Sequence, residues 1–509
     1  MSTPRREKIS AVDTAWLRMD RPGNLMMICA VLLFSDRVRF DRLMRILGER
    51  FLEFDRFRQR PVERVGVAHW ESVPRFSLTD HVERIALPGE AGTDELQALV
   101  SELAATPLDR ARPLWQFHLV EHFAGGSALI ARIHHCYADG IALVRVLMSM
   151  TDSAPNGPPA MPFHPARKGN DVDADDPFAA LTRPFAGVMK LARKAGSALI
   201  DKGAAVWADP AQAVALAGQG GALTAEIAKL ALMPQDSPTR FKGTPGVAKR
   251  VAWADPIALD EVKAISKALA ASVNDVLLSC VAGALRAYLV EHGEPADGTM
   301  IRALVPVNLR PLEKAYQLGN QFGLVFLELP LGIENPIERL YAVRANMVSL
   351  KDSYQPLLAL GLLAAMGAGP KLLQEQLLQS LARNASAVMT NVPGPQQRLY
   401  FAGAAIERFL FWVPQSGNIG MGVSILSYAG QVQFGVITDA ARCPDPDRII
   451  ERFAPEFEKL VLTTLMAPWP RDGDLDPAVA ESAVNTAREN PSKNPGERKA
   501  IRPHSGDRF

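Results

Sequence analysis

The chain has 509 residues, and 56 Lys and Arg against 55 Asp and Glu leave a formal charge of +1, which offers no electrostatic footing for nucleic acid. That length exceeds one ordinary core and predicts two domains, while 48% apolar and 22% charged residues describe a soluble globular protein. Cys29, Cys136, Cys280 and Cys443 lie far apart with no C-x-x-C spacing, which excludes a disulfide frame or a cysteine zinc site and fits reduced thiols. The N-terminal stretch is charged, with no apolar signal region behind it, so a cytoplasmic protein is expected.

Ser10 to Leu17 reads as a short helix with a polar start, followed by a buried strand from Leu25 to Phe34. Phe40 to Arg58 carries Leu43, Ile46, Leu47 and Phe51 at helical spacing, with Pro61 expected to end that helix. Trp70 to His81 looks like a strand, and Asp94 to Ala105 like a helix with Leu96, Leu99, Val100 and Leu103 on one face. Trp115, Phe117 and Leu119 alternate with Gln116, His118 and Val120 in a strand. A turn at Gly125-Gly126 then predicts an antiparallel hairpin with the next strand, Ser127 to Ile133.

From Ala154 to Asp176 the composition turns to Pro, Gly, Asp and Asn, an exposed linker. Phe178 to Met233 is Ala-rich and helical in tendency, broken at Pro184, Pro210 and Gly218–Gly221, and reads as a long crossover between domains. After a second linker, Pro234 to Gly246, a new domain opens with a strand at Arg250 and a helix from Asp260 to Leu269. Ser272 or Asn274 can cap the helix that begins near Val276. Strands are predicted at 301–307, 324–329 and 387–391, with a helix over 337–350 and a hairpin of 419–427 with 431–437 about Ala429-Gly430. A helix from Pro446 to Thr464 closes the fold, and the polar tail from 466 to 509 is expected to be disordered. Asp352 to Lys371 carries no charge between its ends, but prolines and glycines interrupt it; a buried or surface-docking helix is favoured over a span. Mixed strands and helices in both halves predict an α/β protein of two related domains, 1–160 and 247–465, joined by the crossover at 161–246.

The chemistry concentrates at His134-His135-Cys136-Tyr137-Ala138-Asp139-Gly140, on a strand-to-helix turn. Neighbours in an extended segment point opposite ways, so one histidine can face a cavity while the other packs into the scaffold. A neutral His135 in a cleft can take the proton of an alcohol as its oxygen attacks an acyl carbonyl, and then return it to the leaving group. Asp139 can orient an imidazole or hold the turn, and Gly140 fits a tight turn. Two other readings stay open: a metal site, which adjacent and diverging side chains support poorly, and a pair of structural hydrogen-bonding histidines. Cys136 is read as structural, Trp115 as core, Arg310 as an ion-pair residue between elements, and no G-x-S-x-G serine elbow is present.

The motif resembles that of acyl-CoA-dependent acyltransferases related to chloramphenicol acetyltransferase and to peptide-synthetase condensation domains. Further matches narrow the resemblance to the bacterial wax ester synthase/diacylglycerol acyltransferase family. These are Pro113-Leu114-Trp115, Asn274-Asp275, Val307-Asn-Leu-Arg310, Asn391-Val-Pro-Gly-Pro395, Asp13-Thr-Ala-Trp16-Leu17 and Phe57-Arg-Gln-Arg-Pro61. The resemblance implies two chloramphenicol-acetyltransferase-like domains with mixed sheets and a channel between them, acyl-CoA entering one end and a long-chain alcohol or diacylglycerol the other. It implies an O-acyltransferase that needs no metal and no cofactor beyond acyl-CoA as substrate. His135 would be the general base, His134 its supporting neighbour and Asp139 a structural partner of the loop. Gly140, Asp275, Pro113, Leu114 and Trp115 would shape the site, and Asn274 would stand as a candidate oxyanion donor. A peripheral position at a membrane's inner face or a lipid-droplet surface, aided by the apolar 353–370 stretch, goes with that reading. Where the family often has Met-His after its first helix, this chain has Met26-Met27, which leaves substrate preference more open than activity.

Overall fold

Ser10 starts the first helix, α1 (Ala11–Met19): its hydroxyl accepts the Asp13 N–H at 3.0 Å, satisfying one of the free donors of the first turn. The computed structural model describes residues 6–64, 66–160, 233–310, 318–351, 353, 355–368 and 382–466; the expected crossover from 161 to 232 and the tail beyond 466 lie outside them. A short strand, β1 (Arg6–Lys8), precedes α1, and β2 (Met27–Phe34) follows it, apolar on both faces and almost wholly buried.

The second helix, α2 (Phe40–Glu49), is shorter than the sequence pattern suggests. Two 3-10 turns, 51–53 and 55–58, replace its expected end, and Pro61 sits inside β3 (Gln59–Arg64) instead of closing a helix. That strand is the edge of a three-stranded sheet in the order β1-β4-β3, with β4 at Val67–Ser72, and an edge tolerates the missing N–H of proline. The expected strand to His81 likewise stops at Ser72, and His81 ends a 3-10 turn before β5 (Val82–Ile85).

Next come α3 (Thr93–Ala105), β6 (Trp115–Phe123), β7 (Gly126–His134) and α4 (Gly140–Met150), with β6 and β7 forming the expected hairpin. The C-terminal half supplies β8 (Lys249–Trp253), β9 (Ile257–Ala258), α5 (Leu259–Ala268), α6 (Val273–Glu291), β10 (Met300–Asn308) and β11 (Phe322–Pro330). It continues with α7 (Pro336–Lys351), α8 (Gln355–Ala368), β12 (Ala387–Pro393), β13 (Tyr400–Phe401) and β14 (Ala404–Trp412). The hairpin β15 (Met421–Tyr428) and β16 (Gln431–Asp439) and the helix α9 (Asp447–Met466) complete the described chain.

Two larger mixed sheets organise these elements, as expected of an α/β fold. One runs β11-β10-β12-β15-β16-β8, with β9 also on β16; the other runs β13-β14-β2-β7-β6-β5. The second draws from both halves: β14 pairs antiparallel with β2 from Ile406↔Phe34 to Trp412↔Cys29. Side chains from both halves then share one core, in which Trp16 and Ile133 cluster with Phe322, Leu358 and Phe409. The uncharged 353–370 stretch contributes α8 to that core through Leu358, Leu362, Leu363 and Met366, so these side chains are not a lipid-facing surface. A Cβ on Gly367 would lie against the Ala11 carbonyl, which is how closely α8 approaches α1. Among the described residues one helix is long and apolar enough to cross a membrane, α6, and it is mostly buried in the core of the C-terminal half.

Candidate active site

The alternation of β7 decides where each histidine goes. Leu129, Ala131 and Ile133 face one core, while Ala128 and Ile130 face another beneath α3. His135 continues the first face and His134 the second.

His134 therefore turns away from the first face. Its Nδ1 accepts the Cys136 N–H at 3.1 Å, and its Nε2 lies 3.8 Å from an Asp20 carboxylate that Arg110 also holds at 2.8 Å. Asp20, Met27, Arg110, Leu114 and His134 line a small polar pocket there. Met27 stands directly opposite His134 in the strand register, so the departure from the family's usual histidine falls on this side of the sheet.

His135 is pinned from several directions. Its N–H donates to the Met26 carbonyl at 2.7 Å, and its ring stacks on Trp16 with centroids 4.2 Å apart and planes 14° apart. Phe322 packs against both rings, its centroid 5.7 Å from His135 and 5.8 Å from Trp16. Burial among these rings disfavours the imidazolium and pushes His135 down to about 4, against the opposing pull of the Asp139 charge. His134 is pushed to about 4 for the same reason. Both rings are therefore neutral near pH 7, the form a general base requires.

Asp139 does not face either imidazole as a hydrogen-bond partner. Its Oδ1 accepts the Ala142 N–H at 2.9 Å as the N-cap of α4, and its Oδ2 accepts the Gln321 N–H at 3.1 Å and Arg310 at 2.7 Å. Arg310 is thus the inter-element ion pair expected from its sequence position, with side chains 1% and 6% exposed. The same guanidinium donates to the Gly319 carbonyl, and Gly319 exchanges backbone hydrogen bonds with Tyr137 and Asp139. Gly319 has φ +102°, a conformation that favours a residue without Cβ. With His134, His135 and Asp139 directed to three different places, their side chains do not converge as a metal ligand set.

The remaining sequence-chosen residues brace this loop or lie apart from it. The Leu114 carbonyl accepts the His134 N–H at 2.9 Å, and the Leu114 N–H donates to the Tyr137 hydroxyl at 3.0 Å. Trp115 is core, its Nε1 donating to the Phe57 carbonyl at 2.8 Å and its ring stacked on His81; Pro113 accepts the Trp115 N–H. Asp275 closes a capping box with Ser272 at the start of α6, and Asn274 accepts from Asn391 Nδ2 at 2.8 Å. These contacts join two sequence motifs to each other and not to His135. Cys136 is buried with its thiol pushed well above the usual range, so it is no thiolate nucleophile.

Two residues escaped the sequence reading. Asn320 donates through Nδ2 to the His135 carbonyl at 2.7 Å and to Asp13 Oδ1 at 2.7 Å, and Asp13 is pushed up to about 6 by burial. Gly319 and Asn320 form a turn-type dipeptide just ahead of an apolar strand, which is the one local signal that marks them.

Beside this loop an apolar cavity, partly open to solvent, runs between α4 and the six-stranded sheet. Ile133, Gly140, Leu147, Met150, Phe401 and Phe409 are among its walls. The face of β7 that leads to His135 thus also lines the cavity.

A neutral imidazole where the two halves meet, next to an apolar cavity, can take up a proton beside a hydrocarbon chain. Residues 9–277 match the wax ester synthase/diacylglycerol acyltransferase catalytic domain and residues 318–461 the WS/DGAT C-terminal domain. The chain belongs to the wax ester synthase/diacylglycerol acyltransferase family. A Mycobacterium bovis protein assigned by name as a diacylglycerol O-acyltransferase is 30% identical over 434 residues, 82% of each chain. Among solved structures, the wax ester synthase/diacylglycerol acyltransferase of Marinobacter aquaeolei VT8 is similar with TM-score 0.62 at 22% identity, covering 90% of this chain and 100% of that one. The starter condensation domain of rhizomide synthetase, in complex with C8-CoA, is similar with TM-score 0.55 at 14% identity, covering 92% and 97%. At these identities the two structures share the fold.

Proposed function

We propose that the protein transfers a fatty acyl group from acyl-CoA to the hydroxyl of a long-chain alcohol or diacylglycerol, with His135 as general base. The observation that carries this reading is the buried neutral His135 on the same strand face as an apolar cavity. Nε2 takes the hydroxyl proton as the acceptor oxygen bonds to the thioester carbonyl carbon. The tetrahedral intermediate then breaks its C–S bond, and the imidazolium returns the proton to the CoA thiolate. No acyl-enzyme forms, in keeping with a Cys136 thiol held protonated by burial.

Apolar walls suit a hydrocarbon chain, since each methylene moved out of water contributes about 0.8 kcal/mol. His134, on the far face, supports the turn. Work at the inner face of a membrane or a lipid droplet goes with such substrates.

The test is CoA release from palmitoyl-CoA with hexadecanol or dipalmitoylglycerol, set beside a short alcohol and an amine. Turnover with the first two that falls by about 10²–10⁴ in His135→Ala supports the reading. Equal release from both proteins removes His135 as the base, and preference for the amine replaces the acceptor class.

A further inference from the structure

Asn320 stands where the C-terminal half meets the histidine loop, outside every motif that marks the site. It is buried. Its backbone N–H donates to Asp13 Oδ1 at 3.0 Å, and its Nδ2 donates to the same oxygen and to the His135 carbonyl, each at 2.7 Å. Both partners of Nδ2 can only accept: one is a carboxylate oxygen, the other a backbone carbonyl. Turning the amide over would set Oδ1 against two oxygens, so the amide's orientation is fixed by its surroundings and not by choice of assignment.

This orientation leaves Oδ1 as a buried acceptor with no hydrogen-bond partner among the described residues, and His135 Nδ1 is a buried ring nitrogen in the same condition. A buried polar atom left unpaired is costly, and here two such atoms belong to residues already joined through the His135 carbonyl. The Asn320 side chain also acts on the imidazole in the direction of higher basicity, as does the ring's own backbone carbonyl, the group Asn320 holds. Catalytic hydrogen bonds are often long in an empty site and tighten with substrate bound.

We infer that Asn320, held by Asp13, is the positioning residue of the base: it fixes the His135 carbonyl and offers Oδ1 to the Nδ1 proton, so that the lone pair stays on Nε2. This rests on His135 acting as the base. A tautomer with the proton on Nε2 cannot accept from the substrate hydroxyl through that atom, so the fraction of Nδ1–H ring sets the active fraction. Trp16 restrains the ring plane by stacking but offers no acceptor to either nitrogen.

The chain has nine histidines, so the tautomer can be read directly from ring ¹⁵N shifts, with His135 assigned by its absence in His135→Gln. The wild type is expected to hold the Nδ1–H form. Asn320→Ala is expected to show both tautomers, with kcat down about tenfold, the value of one net hydrogen bond, and KM for palmitoyl-CoA little changed. If Asn320→Ala does not fold, Asp13→Ala removes one of the two acceptors that orient the amide and is expected to mix the tautomers. An Nε2–H ring in the wild type, or an unchanged tautomer in Asn320→Ala despite lost activity, overturns the inference. Because the tautomer is read without substrate, a failure of the acyl-transfer reading leaves this result distinct.

Discussion

Lowering the pH should unfold this protein before it protonates the base. His134 and His135 are neutral in the fold, and burial pushes each from an ordinary 6.5 to about 4. The unfolded chain therefore takes up protons below pH 6.5 that the folded chain refuses, and stability present above that pH is lost as the pH falls toward 4. Each group accounts for about 3 kcal/mol of that loss. His118, also pushed to about 4 by burial, acts in the same direction. Asp13 opposes them. Burial raises it from an ordinary 3.8 to about 6, so its contribution is complete below 3.8 and lost as the pH rises through 6; acidification returns about 3 kcal/mol. The net loss between pH 6.5 and 4 is at least ~3 kcal/mol, a large share of an ordinary margin of roughly 5–15 kcal/mol. The assay is kcat/KM and melting temperature measured in parallel across pH 8 to 4. The expected result is a flat kcat/KM down to about pH 5, then a loss that follows the melting temperature. A one-proton limb centred near pH 6.5, with the melting temperature unchanged, would mean that the base is not a buried histidine.

Two substitutions test the surroundings of the loop. Arg310→Met leaves the Asp139 carboxylate buried without its cation, which should cost about 3–5 kcal/mol in urea denaturation; Asp139→Asn added to it should recover part of the loss, and a cost below ~1 kcal/mol for the single variant would show that the pair does not hold the loop. Ala30→Phe projects a ring into the cavity from β2. It should lower kcat/KM for palmitoyl-CoA or for hexadecanol at least about tenfold relative to the four-carbon analogue, the worth of roughly two methylenes at ~0.8 kcal/mol each. Whichever substrate loses the preference is the one whose chain occupies the cavity, and equal effects on long and short chains would show that it holds neither.

What could be read from the sequence was whatever obeys a local rule. The helices at 93–105 and 273–291, the β6–β7 hairpin and the opposite directions of His134 and His135 all follow from short-range periodicity. Local rules failed where a partner distant in the chain decides the conformation. Pro61 looks like a helix stop in its own neighbourhood, yet pairing with Trp70 places it on a sheet edge. Strand β14 has enough apolar residues to be a strand, but nothing near it says that it inserts beside β2, more than 370 positions away in register at Phe411↔Ala30. Asn320 carries no signature as a site residue because its role lies entirely in contacts with Asp13 and His135.

The same long-range pairing explains why the histidine loop belongs to neither half alone. Residues 134–140 supply the imidazole and the N-cap of α4, and the groups that hold them come both from Trp16, Met26 and Leu114 and from 310 and 319–321. Asp139 is bound by Arg310 and Gln321, Tyr137 by Gly319, and the His135 carbonyl by Asn320. Strand β14, on the other side of β2, carries Phe409 and Phe411 into the wall of the cavity that β7 lines. A shift of one half against the other would therefore move His135, Asn320 and the cavity wall together. The geometry of His135 is a property of the interface, and a motif confined to seven residues marks its position without containing its support.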